Sequence, residues 1–193
     1  MEQKSLMKNY LYNLMYQILI ILLPLVTASY LARVLGAAGN GIYIYTYTIA
    51  NYFVLFGSLG ISMYGQREIA YLQNDKTKMK KTFIELVTFR FITIFIASII
   101  YYFFFMKNGE YAVYYRILFF ELLAGAFDIS WFFQGMEDFK KTVLRNIIVR
   151  LVSVALIFIF VKEPSDLNKY LIIYAFADLL RKYFSLGLFT KNF

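Results

Sequence analysis

Among the side chains that carry charge or an amide inside runs that are otherwise apolar are Asn13, Gln17, Asn51, Arg90, Glu121, Asp128 and Arg150. Any chemistry has to start from them. Tyr114, Glu121, Gly125 and Asp128 recur at helical spacing and fall on one stripe. Asn13, Gln17, Pro24 and Ala28 follow one another at intervals of four, seven and four residues, which at 100° per residue keeps them within an arc of roughly 60°. Asn51, Ser58 and Ser62 share a second face, and Arg90, Ala97 and Tyr101 a third. A charge at mid-membrane costs from about 2.5 to more than 10 kcal/mol, so a helix carrying Glu121 turns it toward a bundle interior or a watery cavity. With a rise of 1.5 Å per residue, Arg90 lies ~10 Å and Asp128 and Arg150 ~8 Å from the basic end of their spans. Three charges at one level fit either an ion-pair network between packed helices or the wall of a polar cavity, and both readings stay open. The amides and hydroxyls divide in the same way between interhelical hydrogen bonds and cavity lining.

The elements that position these residues follow from composition. Of the 193 residues, 61% are hydrophobic, 21% aromatic and only 17% charged, a membrane balance. There is no cysteine and no histidine. That excludes disulfide frameworks, the usual zinc sites and nucleophilic triads built on Cys or His, and no cofactor or metal is expected. The net charge of +8 falls in short clusters between apolar runs rather than as a stripe on a soluble domain, so the basic residues suit membrane headgroups and not nucleic acid.

A spanning helix needs about 20 apolar residues, and six segments approach that length: 10–31, 42–63, 85–105, 111–133, 146–161 and 167–188. The runs are continuous rather than alternating, which favours helices over a barrel. The expected fold is all-α, a polytopic membrane protein with one bundle of about six transmembrane helices. On one side lie Lys4, Lys8, Arg67, Lys76, Lys78, Lys80, Lys81, Lys140, Lys141, Arg145, Arg181, Lys182 and Lys191, against Arg33, Lys107, Lys162 and Lys169 on the other. The positive-inside rule then places both termini in the cytoplasm. Glycines mark the short outer turns, Gly57, Gly60 and Gly65 are expected to permit close helix approach, and Trp131 is expected in the interfacial aromatic belt.

Three stretches carry a resemblance: "SYLARVLGAAGNGIY" at 29–43, "GISMYGQREIAYLQND" at 60–75 and "DISWFFQGMEDFKKTVLRN" at 128–146. In this order and spacing the chain resembles the bacterial polysaccharide flippases, the O-antigen and capsule exporters of the multidrug/oligosaccharidyl-lipid/polysaccharide superfamily, from about residue 5 to about residue 178. The resemblance implies a carrier, not an enzyme, that turns an undecaprenyl-pyrophosphate-linked oligosaccharide from the cytoplasmic to the periplasmic leaflet of the inner membrane. It implies alternating access between two bundles of about six helices around a central cavity. Its implied partners are the lipid-linked oligosaccharide, membrane lipids, and the polymerase and glycosyltransferases of polysaccharide synthesis.

On this resemblance Arg90 and Arg150 are headgroup candidates, Glu121, Asp128, Asn13, Gln17 and Asn51 further cavity candidates, and Arg33, Arg67, Gln134 and Gly135 occupy matching motif positions. Residues 1–193 are expected to form the N-terminal lobe of a two-lobe transporter, with the second lobe absent and the chain a partial or truncated carrier. Arg181 and Lys182 depart from the small or polar step expected in the sixth helix. A cation-coupled multidrug exporter of the same superfamily, with Glu121 and Asp128 as its ion site, and a nonfunctional remnant remain as alternatives. The exporter predicts an acidic cavity, the flippase a cationic one.

Overall fold

The structure is a computed structural model that describes residues 21–137 and 139–189, with side chains described for 21–137 and 146–184. Among the described residues the fold is all-α. Helix α1 (Ile21–Val34) leads into α2 (Gly36–Ser58), α3 (Ile61–Tyr71) and α4 (Lys76–Tyr101), whose end widens into a π-helical turn at Tyr102–Met106. Then follow α5 (Ala112–Ala126), α6 (Ser130–Gly135), α7 (Phe139–Phe160), a 3-10 turn at Pro164–Asp166, and α8 (Leu167–Phe189).

By length and apolar character, the stretches Lys76–Met106 and Ala112–Gly135 suffice to cross a membrane, and α2 with α3 forms a third candidate bent by 41°. Within the described residues, α1 and the Asn146–Phe160 part of α7 are apolar but shorter. Helix α8 is diluted by Lys169, Asp178, Arg181 and Lys182.

The exposure pattern is inverted relative to a soluble protein. On α4, Arg90 and Ser98 are buried while Phe95, Ile92, Ile96 and Phe89 are exposed, as expected where lipid rather than water surrounds the helix. Lipid tails offer no hydrophobic gain for helix association, so close packing and interhelical hydrogen bonds carry it. Gly57 of α2 lies so near α4 that a Cβ there would stand 2.9 Å from Ile94 Cδ1 and 3.3 Å from Ala97 Cβ. Gly125 of α5 likewise faces Val54 of α2. Thr93 of α4 donates to the Gly57 carbonyl at 2.5 Å, Tyr101 to the Tyr115 carbonyl at 3.1 Å, and Tyr30 to the Val161 carbonyl at 2.7 Å.

Two of the expected spans are broken. Helix α2 ends where Leu59 (φ 44°) and Gly60 (φ 71°) both adopt the left-handed conformation, a pair that turns the chain into α3. Gly60 therefore serves the bend, with no atom within 4 Å of a Cβ built on it, while Gly57 and Gly65 serve close approach. The second break, at 127–129, separates α5 from α6. Asp128 sits in it and is not on the continuous helical stripe that its spacing from Glu121 predicts.

The core is correspondingly double. The larger cluster joins α1, α2, α4, α5, α7 and α8 through residues such as Leu31, Ala50, Ile94, Leu118, Ile157 and Leu171. A smaller one, Ile69, Met79, Phe83, Ile129, Trp131, Phe132 and Phe133, lies between α3, α6 and the start of α4. Trp131 is its centre at 1% exposure, which overturns its expected place in an interfacial belt. The reason is local: Gly65 leaves a slot on α3 that the indole fills, and a Cβ there would fall 2.5 Å from Trp131 Cε3.

Short polar devices close the turns. Asp75 accepts from the Lys78 amide at 3.0 Å and so caps α4. Asp166 accepts from the amides of Lys162 and Glu163 at 2.8 and 3.1 Å and pairs with Lys169 Nζ at 2.6 Å. The Lys169 ammonium first, and then the Lys162 amide, hold its carboxyl down at about 2.

Two outcomes follow from these contacts. Gly65→Val should overpack the indole slot and destabilise by ~1–3 kcal/mol, seen as a lowered melting temperature and a red-shifted emission from the single tryptophan. In the α7–α8 turn the folded pKa lies below the ordinary value of 3.8, so the contribution of Asp166 is present above that value and lost as pH falls toward 2. The Lys162 and Glu163 amide resonances should therefore titrate with a midpoint near 2, and Asp166→Asn should abolish that step.

Candidate functional site

Arg90 lies in the middle of α4 at 3% exposure, and each part of its guanidinium is engaged. Nε donates to the Gly125 carbonyl at 2.7 Å, Nη1 to Ser62 Oγ at 3.0 Å and Nη2 to Ser58 Oγ at 3.2 Å. Nη2 also stands 3.8 Å from Asp128 Oδ2. The acceptors are supplied by the two breaks: Ser58 and Ser62 flank the α2–α3 bend, while Gly125 precedes the α5–α6 gap and Asp128 lies within it. Asp128 in turn accepts from the Ser130 amide at 3.0 Å and from the Ser130 hydroxyl, an Asx-type turn that leads into α6. Arg90 and Asp128 are thus brought together as an internal knot.

A cavity of about 640 Å³ opens elsewhere, between α1, α2, α7 and α8. Arg150 lines it, along with Asn146 and Ser153 from the same face of α7. From α8 come Tyr170, Tyr174, Asp178 and Arg181, at intervals of four, four and three residues. Tyr43 and Asn40 face it from α2, and Pro24 and Thr27 from α1. Because α7 and α8 run antiparallel, Asn146 and Arg150 lie level with Asp178 and Arg181, and Ile157 lies level with Tyr170. One end is therefore cationic and the other tyrosine-rich, and Arg181 stands about 16 Å along α8 from Tyr170.

Behind the wall, Asp178 pairs with Arg181 and with Lys182 Nζ, the latter at 2.6 Å. Glu121 of α5 is buried beside Asp178 and Lys182, with its Oε1 accepting no hydrogen bond. The sequence reads Arg181 and Lys182 as a departure within the sixth helix, on the basic side of the membrane, and the structure sets Arg181 in the cavity wall. Neither Glu121, Asp128 nor Arg90 lines the cavity. Asn51 is exposed on α2 away from it. Asn13 and Gln17 lie outside the described residues, and so do the side chains of Lys140, Lys141 and Arg145. The missed residues Tyr170, Tyr174, Asp178 and Arg181 carry a readable signal, since their spacing is that of one helix face.

Comparison with known proteins decides the family. The profile of the polysaccharide biosynthesis protein family matches residues 6–193. This chain belongs to that family. It is also 31% identical over 166 residues to the Escherichia coli (strain K12) "Putative O-antigen transporter", a match covering 84% of this chain and 40% of that protein. The chain therefore spans about two fifths of the length of this curated relative. No solved structure matches.

Within this chain, the second and third of the quoted stretches prove to be packing partners. A Cβ on Gly135 would lie 2.6 Å from the Gln66 carbonyl oxygen and 2.9 Å from Ile69 Cβ, and the Gly135 carbonyl accepts from Gln73 Nε2 at 2.7 Å. Gln134 is exposed. Arg67 is exposed too, with its guanidinium 5.8 Å from the ring centre of Tyr64. Arg33 is exposed near the end of α1.

Removing Arg90 leaves the Gly125, Ser58 and Ser62 acceptors unmet and takes the neighbouring cation from Asp128, a change that costs roughly 3–5 kcal/mol. Arg90→Ala should accordingly lower the melting temperature sharply in detergent, followed by Trp131 fluorescence. Arg90→Lys should not restore it, because one ammonium does not reproduce the planar fork. Arg150→Ala should stay within about 0.5 kcal/mol of the parent.

Proposed function

We propose that this chain supplies one lobe of a carrier that moves undecaprenyl-pyrophosphate-linked oligosaccharide units across the bacterial inner membrane. The proposal includes alternating access between two lobes, cytoplasmic termini, and no covalent chemistry. The observation that carries it is the cavity between α1, α2, α7 and α8, in which Arg150 and Arg181 face the same space. A pyrophosphate does not enter hydrocarbon unescorted, and a guanidinium pair matches its oxygens bidentately while the lipid tail stays in the bilayer. Family membership and the relative described as an O-antigen transporter support the same class of cargo.

A cation-coupled drug exporter on this fold calls for an acidic cavity. Among the described residues the lining has two arginines against one aspartate, and Glu121 and Asp128 are absent from it. The balance favours an anionic headgroup. Arg90, which the sequence offers as a headgroup contact, is better assigned to holding helices together, and Arg181 takes its place beside Arg150.

The purified chain should bind undecaprenyl pyrophosphate and discriminate against undecaprenol. Arg150→Gln and Arg181→Gln should each weaken binding about tenfold, as expected for losing one charge-assisted contact, and added salt should weaken it further. Equal binding of the alcohol and the pyrophosphate would count against the proposal.

A further inference from the structure

The opposite end of the cavity is built differently, and its chemistry points to a different part of the cargo. Tyr43 and Tyr170 meet edge to face with ring centres 4.9 Å apart at 83°, and Tyr47 and Tyr174 do so at 5.4 Å and 89°. The Tyr174 hydroxyl donates to the Tyr47 hydroxyl at 3.1 Å, so these rings are held in fixed mutual orientation before anything binds. Tyr170 is buried and anchors the cluster, whereas Tyr43 and Tyr174 are half-buried and line the cavity next to Asn40.

We infer that this tyrosine wall, Tyr43 and Tyr174 anchored on Tyr170, docks the first sugar ring of the cargo, while Arg150 and Arg181 hold the phosphates. The inference rests on the carrier reading and deepens it.

The negative face of an aromatic ring repels phosphate and attracts the polarised C–H groups of a pyranose. The phenol hydroxyls and the Asn40 amide supply donors and acceptors for the hydroxyl rim of that ring. A polyprenyl chain needs neither feature, because surrounding lipid already solvates it. Spacing agrees with the division: Tyr174 and Arg181 are separated by about 10 Å along α8, close enough for a diphosphate and the ring bonded to it to touch both. A preformed, mostly apolar wall with a few placed polar groups is also the usual make-up of a small-molecule site.

The test compares two probes on the purified chain by native mass spectrometry: undecaprenyl pyrophosphate, and the same lipid bearing one N-acetylhexosamine. The parent chain should bind the sugar-bearing lipid about tenfold more tightly. The double variant Tyr43→Leu with Tyr174→Leu should lose that preference and keep its affinity for the bare pyrophosphate. Tyr43→Phe with Tyr174→Phe, which retains both ring faces, should keep most of the preference.

Three results overturn the inference. Equal binding of the two lipids by the parent removes the sugar wall but leaves the carrier reading in place. If the Leu pair weakens both lipids alike, the tyrosines are only structural. A parent chain that binds neither lipid better than undecaprenol rejects the carrier reading and the wall with it.

Discussion

A guanidinium held at the middle of a membrane-spanning helix sets the terms for much of this fold. Arg90 brings a charge and five N–H donors into a place where water does not compensate them, so every donor has to be met by the protein. Regular helices have no spare acceptors to give. The carbonyls are used within the helix, and only its ends release them. The two breaks, at Leu59–Gly60 and at 127–129, therefore belong to the same solution as the arginine: they free the Gly125 carbonyl and bring Ser58, Ser62 and Asp128 to one point. Thr93, one turn along α4, meets the Gly57 carbonyl in the same manner. Four segments of chain are thereby tied to α4 by directional bonds where lipid provides no hydrophobic force to press them together.

The breaks have a second consequence, which explains what two of the family-like stretches are for. Once α3 and α6 turn away from the long helices they need a core of their own, and Ile69 from the first stretch, Ile129 and Trp131–Phe133 from the second, with Met79 and Phe83 of α4, provide it. Gly65 admits Trp131, Gly135 admits the α3 backbone, and Gln73 closes the contact through the Gly135 carbonyl. The family signature at these positions is thus the signature of a helix–helix fit. Gly135, offered by the sequence as a matching motif position, is where α6 meets the α3 backbone most closely. Trp131 looked interfacial because tryptophan near a basic cluster usually is, and the glycine that buries it lies 66 residues earlier in the chain.

Much of the architecture was legible before the structure was known. Apolar runs gave the helical class, and the polar residues within them correctly marked faces that turn inward, as for Arg90 and Glu121. Sequence spacing gives height along a helix and azimuth on that helix, but not which neighbour the azimuth faces. Spacing sets Arg90, Asp128 and Arg150 at one expected level, yet the first two meet in an internal knot and the third opens on a cavity. The helix break at Asp128 was hidden because no proline stands near it and because Phe127 and Ile129 are as apolar as any helical neighbour. On α8, the charges at Asp178, Arg181 and Lys182 read as a departure from the expected sixth helix, which obscured the place of Asp178 and Arg181 on the same stripe as Tyr170 and Tyr174.

The contrast between the arginines shows how one residue type can be divided between structure and recognition. Arg90 has its donors committed inside the bundle, and exchanging any of them for a ligand would uncover Ser58, Ser62, Asp128 or the end of α5. Arg150 is exposed, and no carboxylate among the described residues pairs with it. Arg181 stands between these extremes, since Asp178 holds it while Lys182 neutralises the other oxygen of the same carboxylate. If an anion drew Arg181 away, Asp178 would still keep the Lys182 ammonium, so the exchange would not strand a bare charge next to the buried Glu121. A cation that can change partners without leaving its first partner unpaired is what reversible binding in a low-dielectric site requires.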